Sequence, residues 1–213
     1  VLVILSTVVA AIGLIENNVA VVIGAMVIAP LLGPNLALSL GTALGEFVLI
    51  RKAVKTLAAG VLLAVLLSVV IGLLYPDKLV SDELLARTFV EVDSIALALA
   101  SGAAAALSLT MGLSSVMVGV MVAVALLPPA ATLGLMLGQG NYGLAAGASL
   151  LLAANVASVN LASILVFFIK GIRPRTFTDK ERASRGTLVF IIGWLVLLAI
   201  LVFVILVYKP LQP

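Results

Sequence analysis

The sequence predicts an all-α, polytopic membrane protein with seven transmembrane helices: two inverted three-helix repeats plus one peripheral helix. Three observations support this fold class. Hydrophobic residues make up 64% of the 213 positions and charged residues only 10%, which is too apolar for a water-exposed surface. The apolar residues form long runs separated by short polar segments. Two of these runs resemble each other, and both contain proline.

The apolar runs predict seven spans, because a helix needs about 20 residues to cross roughly 30 Å of hydrocarbon. We place them at residues 1–15, 19–44, 53–75, 94–110, 113–137, 142–169 and 187–208, the first being short. Asn17 or Asn18 is expected to cap the second span, and Ser81 a short amphipathic helix on the outer surface. The bulky seventh span is predicted to be peripheral. All spans form a single transmembrane domain over residues 1–213, and we expect the native protein to have a soluble region before them.

An internal repeat relates the second and fifth spans. Residues 21–34 (VVIGAMVIAPLLGP) and 116–129 (VMVGVMVAVALLPP) align without a gap, with 7 of 14 positions identical. Paired interrupted hydrophobic segments in the two halves of a membrane chain are typical of transport sites. We therefore predict that proline breaks both helices, in repeat one (about 1–75) and repeat two (about 94–170).

Loop charges predict the orientation, because Lys and Arg concentrate on the cytoplasmic side. The loops after the second and sixth spans hold nine of the twelve basic residues. These are Arg51, Lys52, Lys55, Lys170, Arg173, Arg175, Lys180, Arg182 and Arg185. The loop between the third and fourth spans is acidic. The amino terminus is therefore predicted to be cytoplasmic and the carboxyl terminus outside.

Three crossings per repeat make the two halves inverted copies, related by a pseudo-two-fold axis in the membrane plane. A competing interpretation makes the second and fifth spans re-entrant hairpins. That alternative would place Arg51, Lys52 and Lys55 outside, against the charge rule.

The proline breaks are the predicted site, since each proline lacks an amide hydrogen and frees a carbonyl four residues upstream. Freed backbone groups in hydrocarbon must be satisfied by protein, water or substrate. Asparagine, serine and threonine nearby add donors and acceptors, although interhelical hydrogen bonding would explain them equally well. The candidate substrate-binding residues are Pro30, Gly33, Pro34, Asn35, Ser39, Pro128, Pro129, Thr132, Asn155 and Asn160.

The residue types that are missing exclude several functions. The chain has no cysteine and no histidine, which removes thiolate and imidazole metal sites and the usual nucleophilic triads. No charged side chain lies deep within a predicted span, so a proton relay or an intramembrane arginine clamp has no support. We expect no enzymatic activity, no cofactor, no metal and no nucleic-acid partner.

Residues 17–46 (NNVAVVIGAMVIAPLLGPNLALSLGTALGE) resemble the bacterial and archaeal family called domain of unknown function 389. The pattern GAM-x-I-x-PL-x-GP, from Gly24 to Pro34, carries the resemblance. It implies a multi-pass protein of the cytoplasmic membrane, often preceded by a soluble amino-terminal region. It implies no substrate and no binding residues.

Two function classes remain. The first is a transporter or channel-like protein that moves an ion or a small, mostly uncharged solute through a midplane site between the two breaks. The alternative is a non-transporting membrane anchor and oligomerisation module for an amino-terminal soluble sensor. The many small residues favour close helix packing and a homo-oligomer in the lipid bilayer.

Overall fold

The computed structural model describes the backbone over residues 1–75, 80–112, 115–172 and 177–208, and the side chains over these ranges apart from residues 92, 115–125, 177–189, 206 and 208. Every regular element in these ranges is an α-helix. In chain order the helices are α1 (Leu2–Ile15), α2 (Val19–Ile28), α3 (Leu32–Leu44), α4 (Phe47–Leu74), α5 (Asp82–Ala86), α6 (Val92–Thr110), α7 (Ser115–Gly138), α8 (Tyr142–Ile169) and α9 (Phe177–Tyr208). The chain is therefore an all-α membrane protein.

Each predicted span coincides with one helix or with a broken pair. α4 begins six residues before the predicted third span, because the helix continues back through Arg51 and Lys52 to the apolar residues 47–50. α9 begins ten residues before the predicted seventh span, because a mostly polar and charged segment extends that helix. Of the described helices, three are long and apolar enough to cross a membrane, or four if α2 and α3 count as one span. Seven crossings and the inverted repeat stay predictions, and the side chains of most of the basic segment after α8 lie outside those that the structure describes.

The break in the second span is confirmed. Asn18 Oδ1 accepts a hydrogen bond from the Val21 amide at 3.2 Å and so caps α2. Ala29 then leaves the helical region (φ −69°, ψ 118°), as a residue before proline tends to do. α3 starts at Leu32 and is bent 57° from α2. A pair bent this far is the geometry of a broken span or of a re-entrant loop.

The predicted break in the fifth span is wrong. α7 continues from Ser115 to Gly138 with Pro128 and Pro129 inside it. Two adjacent prolines disturb a single turn, whereas Pro30, Gly33 and Pro34 loosen more than one turn of the second span. Fully enclosed side chains also flank the proline pair on both sides and hold the turn in its helical path. They are Leu126, Leu127, Ala130 and Ala131.

Small residues allow close packing at several crossings, as predicted. A Cβ at Gly134 or Gly138 of α7 would collide with the α4 backbone at the carbonyls of Val65 and Val69. A Cβ at Gly102 of α6 would lie 2.5 Å from the Val159 carbonyl oxygen of α8.

In each of the two other glycine pairs, one glycine packs against another segment. Gly45 has φ 65° and ends α3 in the left-handed conformation, whereas Gly41 lies against the start of α4, where an added Cβ would be 3.1 Å from the Ile50 amide nitrogen. In the Gly143/Gly147 pair, only Gly147 lies against another segment, at the Thr88 carbonyl.

The segment between α4 and α6 contains the predicted short helix. Ser81 Oγ accepts from the Leu84 amide at 3.1 Å and caps α5. Two further hydrogen bonds attach α5 to the end of the bundle at which α1 ends. Ser81 Oγ donates to the Leu14 carbonyl at 2.5 Å, and Asn17 Oδ1, in the turn before α2, accepts from the Glu83 amide at 3.0 Å.

Candidate functional site

The helix break places a polar stripe at the start of α3. Pro34 lies in the first turn, where its missing amide hydrogen costs nothing. Asn35, Ser39 and Thr42 follow at intervals of four and three residues and therefore share one face. All three side chains are buried, with Asn35 and Ser39 at 0% exposure. α3 thus turns hydrogen-bonding groups toward the interior directly after the break.

Asn160 of α8 meets this stripe. Its Nδ2 donates to Asn35 Oδ1 at 2.7 Å and to the Val156 carbonyl at 2.8 Å. Its Oδ1 accepts from Ser39 Oγ at 2.8 Å. Asn160 is itself 0% exposed. We call Asn35, Ser39 and Asn160 the amide cluster.

The amide cluster is not fully satisfied. Within the described part of the chain, Asn35 Nδ2 has no hydrogen-bond partner, although the side chain is completely enclosed. A buried polar group without a partner costs about 1–3 kcal/mol. A ligand oxygen or a water molecule at this nitrogen would recover that energy.

Thr132 of α7 is the buried hydroxyl predicted to complete the site. Its side chain is 0% exposed, and within the described residues its Oγ1 has no hydrogen-bond partner. Gly134, two residues later, faces α4. Thr132 therefore lies about 200° around the axis, on the side away from α4. No hydrogen bond joins it to the amide cluster.

The remaining predicted residues divide into two groups. Pro128 and Pro129 are buried in α7, and Asn155 is buried on α8 at 6% exposure. Pro30 and Gly33 lie at the break and are exposed at the surface of the bundle. They therefore shape the backbone and do not line the interior. The structure therefore joins three of the ten predicted residues by hydrogen bonds.

Ser68 of α4 is a buried polar residue that was not predicted. It is 0% exposed, and among the described residues its Oγ has no hydrogen-bond partner. Its signal in the sequence is a lone serine within the otherwise apolar run of residues 57–74. On α8, the buried Oγ of Ser158 likewise has no partner among the described residues.

The chemistry available to the amide cluster is neutral hydrogen bonding. It contains amides and a hydroxyl, and the described residues hold no group of three or more Asp, Glu, His or Cys that could bind a metal ion. Such groups suit a neutral polar solute, or a cation coordinated by carbonyl and hydroxyl oxygens.

Comparison with known proteins gives two matches. Residues 26–161, which include the break and the whole amide cluster, match the family described as domain of unknown function (DUF389). The chain is 39% identical over 205 residues to "Uncharacterized protein MJ0678" of Methanocaldococcus jannaschii. That alignment covers 96% of this chain and 64% of the relative, so the chain spans about two thirds of the relative's length. No solved structure matches.

Proposed function

The chain belongs to the domain of unknown function 389 family, and we propose that it is a membrane transporter or channel-like protein. It moves an ion or a small, mostly uncharged solute, without enzymatic chemistry, across the cytoplasmic membrane of a prokaryote. The amide cluster beside the α2–α3 break is the central part of its site.

One observation carries the proposal: Asn35 is placed by a helix break, is fully enclosed, and keeps an amide nitrogen that has no partner among the residues that the structure describes. Broken helices in transporters place backbone and side-chain polar groups where a substrate replaces its hydration shell. Polar residues at membrane depth are costly and mark functional sites. The lack of a charged side chain in the cluster favours a neutral solute or a weakly held ion over a strong anion.

The proposed topology has seven crossings with inverted halves, an internal amino terminus and an external carboxyl terminus. A ring contact supports it. Phe47 at the start of α4 and Phe190 of α9 have centroids 5.9 Å apart. In the proposed arrangement the third and seventh spans enter the membrane from the same side, which agrees with this contact between the two helices. The protein would assemble as a homo-oligomer.

The second candidate is a membrane anchor and oligomerisation module. The hydrogen bonds from Ser39 and to Asn35 also fit a cluster whose only role is to hold α3 against α8. The relative is longer than this chain, which leaves room for a further segment in that protein. An anchor requires no flux and no solute at Asn35.

Flux measurements separate the two candidates. The full chain is reconstituted in liposomes, and uptake of Na⁺, K⁺, glycerol and urea is compared with protein-free vesicles. We expect protein-dependent flux of at least one probe, lowered about tenfold by Asn35→Leu, because losing the amide removes a hydrogen bond of about 1.4 kcal/mol from the permeation path.

Ser149→Ala is the matched control, since Ser149 Oγ bonds only within α8, to the Ala146 carbonyl at 2.7 Å. Asn35→Ser, which keeps a neutral polar side chain, replaces the leucine variant if that variant does not fold. If none of the four probes shows protein-dependent flux, or if folded Asn35→Leu keeps wild-type flux, the transport proposal is overturned. The membrane anchor then becomes the better candidate.

A further inference from the structure

An apolar groove of about 510 Å³ lies between α3, α4, α8 and α9. Its floor is buried and includes Leu38, Leu57 and Leu152. Its rim includes Val54 and Leu197, which are 45% and 42% exposed, so the groove is open to the surroundings of the bundle. This volume is in the range of roughly 300–1,000 Å³ typical of ligand sites.

The groove is elongated along α4. Its α4 lining runs from Ile50 to Val61, a distance of about 16 Å at 1.5 Å per residue. One leaflet of hydrocarbon is about 15 Å deep, half of the bilayer core. The lining is aliphatic and aromatic, with a single hydroxyl at Thr42, which already bonds to the Leu38 carbonyl at 2.8 Å. Such a surface suits a hydrocarbon chain.

Cations lie at one end of the groove. Ile50, Val54 and Val61 define the groove-facing side of α4. Successive residues are 100° apart around the axis of α4. Arg51 is therefore about 80° and Lys55 about 120° from the middle of that side, both in the same direction around the axis. Lys52 is about 180° from it, on the opposite side of the helix. All three basic side chains are exposed. Two of them can therefore reach the groove's end, and the third faces away.

We propose that this groove is a binding site for an anionic phospholipid, with one acyl chain in the groove and the phosphate held by Arg51 and Lys55. Charge complementarity selects the occupant, because juxtamembrane Lys and Arg attract anionic lipids. The groove's length and its open side fit an acyl chain entering from the bilayer. This site lies beyond the transport proposal and does not depend on it.

Gly193 of α9 offers a direct way to fill the groove. It lines the groove, and a Cβ added there meets no atom within 4 Å. Gly193→Leu therefore places a side chain in space that the acyl chain would occupy, without a backbone collision. Gly24 of α2 also has no atom within 4 Å of an added Cβ and does not line the groove. Gly24→Leu is thus the matched control.

The test is native mass spectrometry of the full chain in detergent, titrated with dioleoylphosphatidylglycerol or dioleoylphosphatidylcholine. We expect tighter binding of phosphatidylglycerol. Arg51→Gln and Lys55→Gln should each weaken it about fivefold. Lys52→Gln should leave it unchanged. Gly193→Leu should lower the binding of both lipids, and Gly24→Leu of neither.

Several results would overturn the proposal. Equal binding of the two lipids would overturn the selectivity for an anionic headgroup, and equal effects of the substitutions at positions 51, 52 and 55 would remove the contact of the phosphate with Arg51 and Lys55. Unchanged lipid binding by Gly193→Leu would remove the acyl-chain contact. Folding of that variant is checked by circular dichroism. If it does not fold, the proposal is tested by the substitutions at positions 51, 52 and 55 alone. A shift to a dimer that excludes lipid would assign the groove to a second copy of the chain.

Discussion

At the scale of single residues, Asn160 makes three side-chain hydrogen bonds in the interior of the bundle. It binds Asn35 and Ser39 of α3 across 125 and 121 positions of sequence. It also donates to its own helix at Val156, so its orientation is fixed from both sides. An amide is suited to this position because it presents donors and an acceptor together. The pairing therefore fixes the rotation of α3 against α8.

Asn160→Leu should destabilise the protein by about 2 kcal/mol. The substitution removes the hydrogen bonds to Asn35 and Ser39 and leaves their polar atoms enclosed in apolar surroundings. The measurement is unfolding in mixed micelles, followed by circular dichroism. Ser149→Ala, on the same helix but with a local bond only, should cost less than about 0.5 kcal/mol. Equal effects of the two variants would show that the amide cluster does not hold α3 to α8.

At the scale of helices, α4 and α7 form a crossing that depends on glycine. Gly134 and Gly138 bring the α7 backbone against the carbonyls of Val65 and Val69. Gly134 also lies against Ser68, whose Cβ would be 2.5 Å from an added Cβ. In lipid the hydrophobic effect does not drive helices together, so close backbone approach and van der Waals contact supply much of the attraction. The crossing places Thr132 on the opposite side of α7, within the bundle.

Gly134→Ala should destabilise the protein by about 1–3 kcal/mol, because the new methyl group overlaps backbone that cannot move without separating the helices. Gly24→Ala is the matched control: its methyl group has open space, and the higher helix propensity of alanine should make the change neutral or stabilising by up to about 1 kcal/mol. Thermal unfolding of both variants in detergent provides the comparison. A neutral Gly134→Ala would contradict the close α4–α7 contact.

At the scale of the whole molecule, charge is distributed unequally between the two ends of α4. Arg51, Lys52 and Lys55 lie near its beginning, whereas the segment after it leads to Asp82 and Glu83 at the start of α5. The proposed seven-crossing topology puts the beginning of α4 in the cytoplasm. The re-entrant alternative for the α2–α3 pair reverses α4.

Cysteine labelling in intact cells distinguishes these topologies, and the chain contains no cysteine that would interfere. We expect a membrane-impermeant maleimide to label Val80→Cys, at a side chain that is 71% exposed, from outside. Lys52→Cys should be labelled only after permeabilisation, because the basic end of α4 stays in the cytoplasm. The opposite result at both positions would support the re-entrant hairpin.

Much of the fold was predictable from the sequence because its causes are local. Apolar runs of sufficient length predicted the helices, asparagine and serine predicted the caps of α2 and α5, and Pro30 predicted the break after Ile28. Proline acts through its fixed φ and its missing amide hydrogen, and a capping residue acts through its side-chain acceptor. All of these effects are confined to one helical turn. The sequence likewise indicated which polar residues would be buried, since hydrocarbon excludes them from the outer surface.

Tertiary structure decided what depends on neighbouring helices. Pro128 and Pro129 lack an amide hydrogen just as Pro30 does, yet they disturb only one turn, and enclosed side chains around them keep α7 helical. The amide cluster joins Asn35 to Asn160 but leaves Thr132 apart, and the groove exists only where four helices meet. The physical reason is that helix rotation and spacing are set by packing between distant segments, whereas the rules read from sequence act within a single turn.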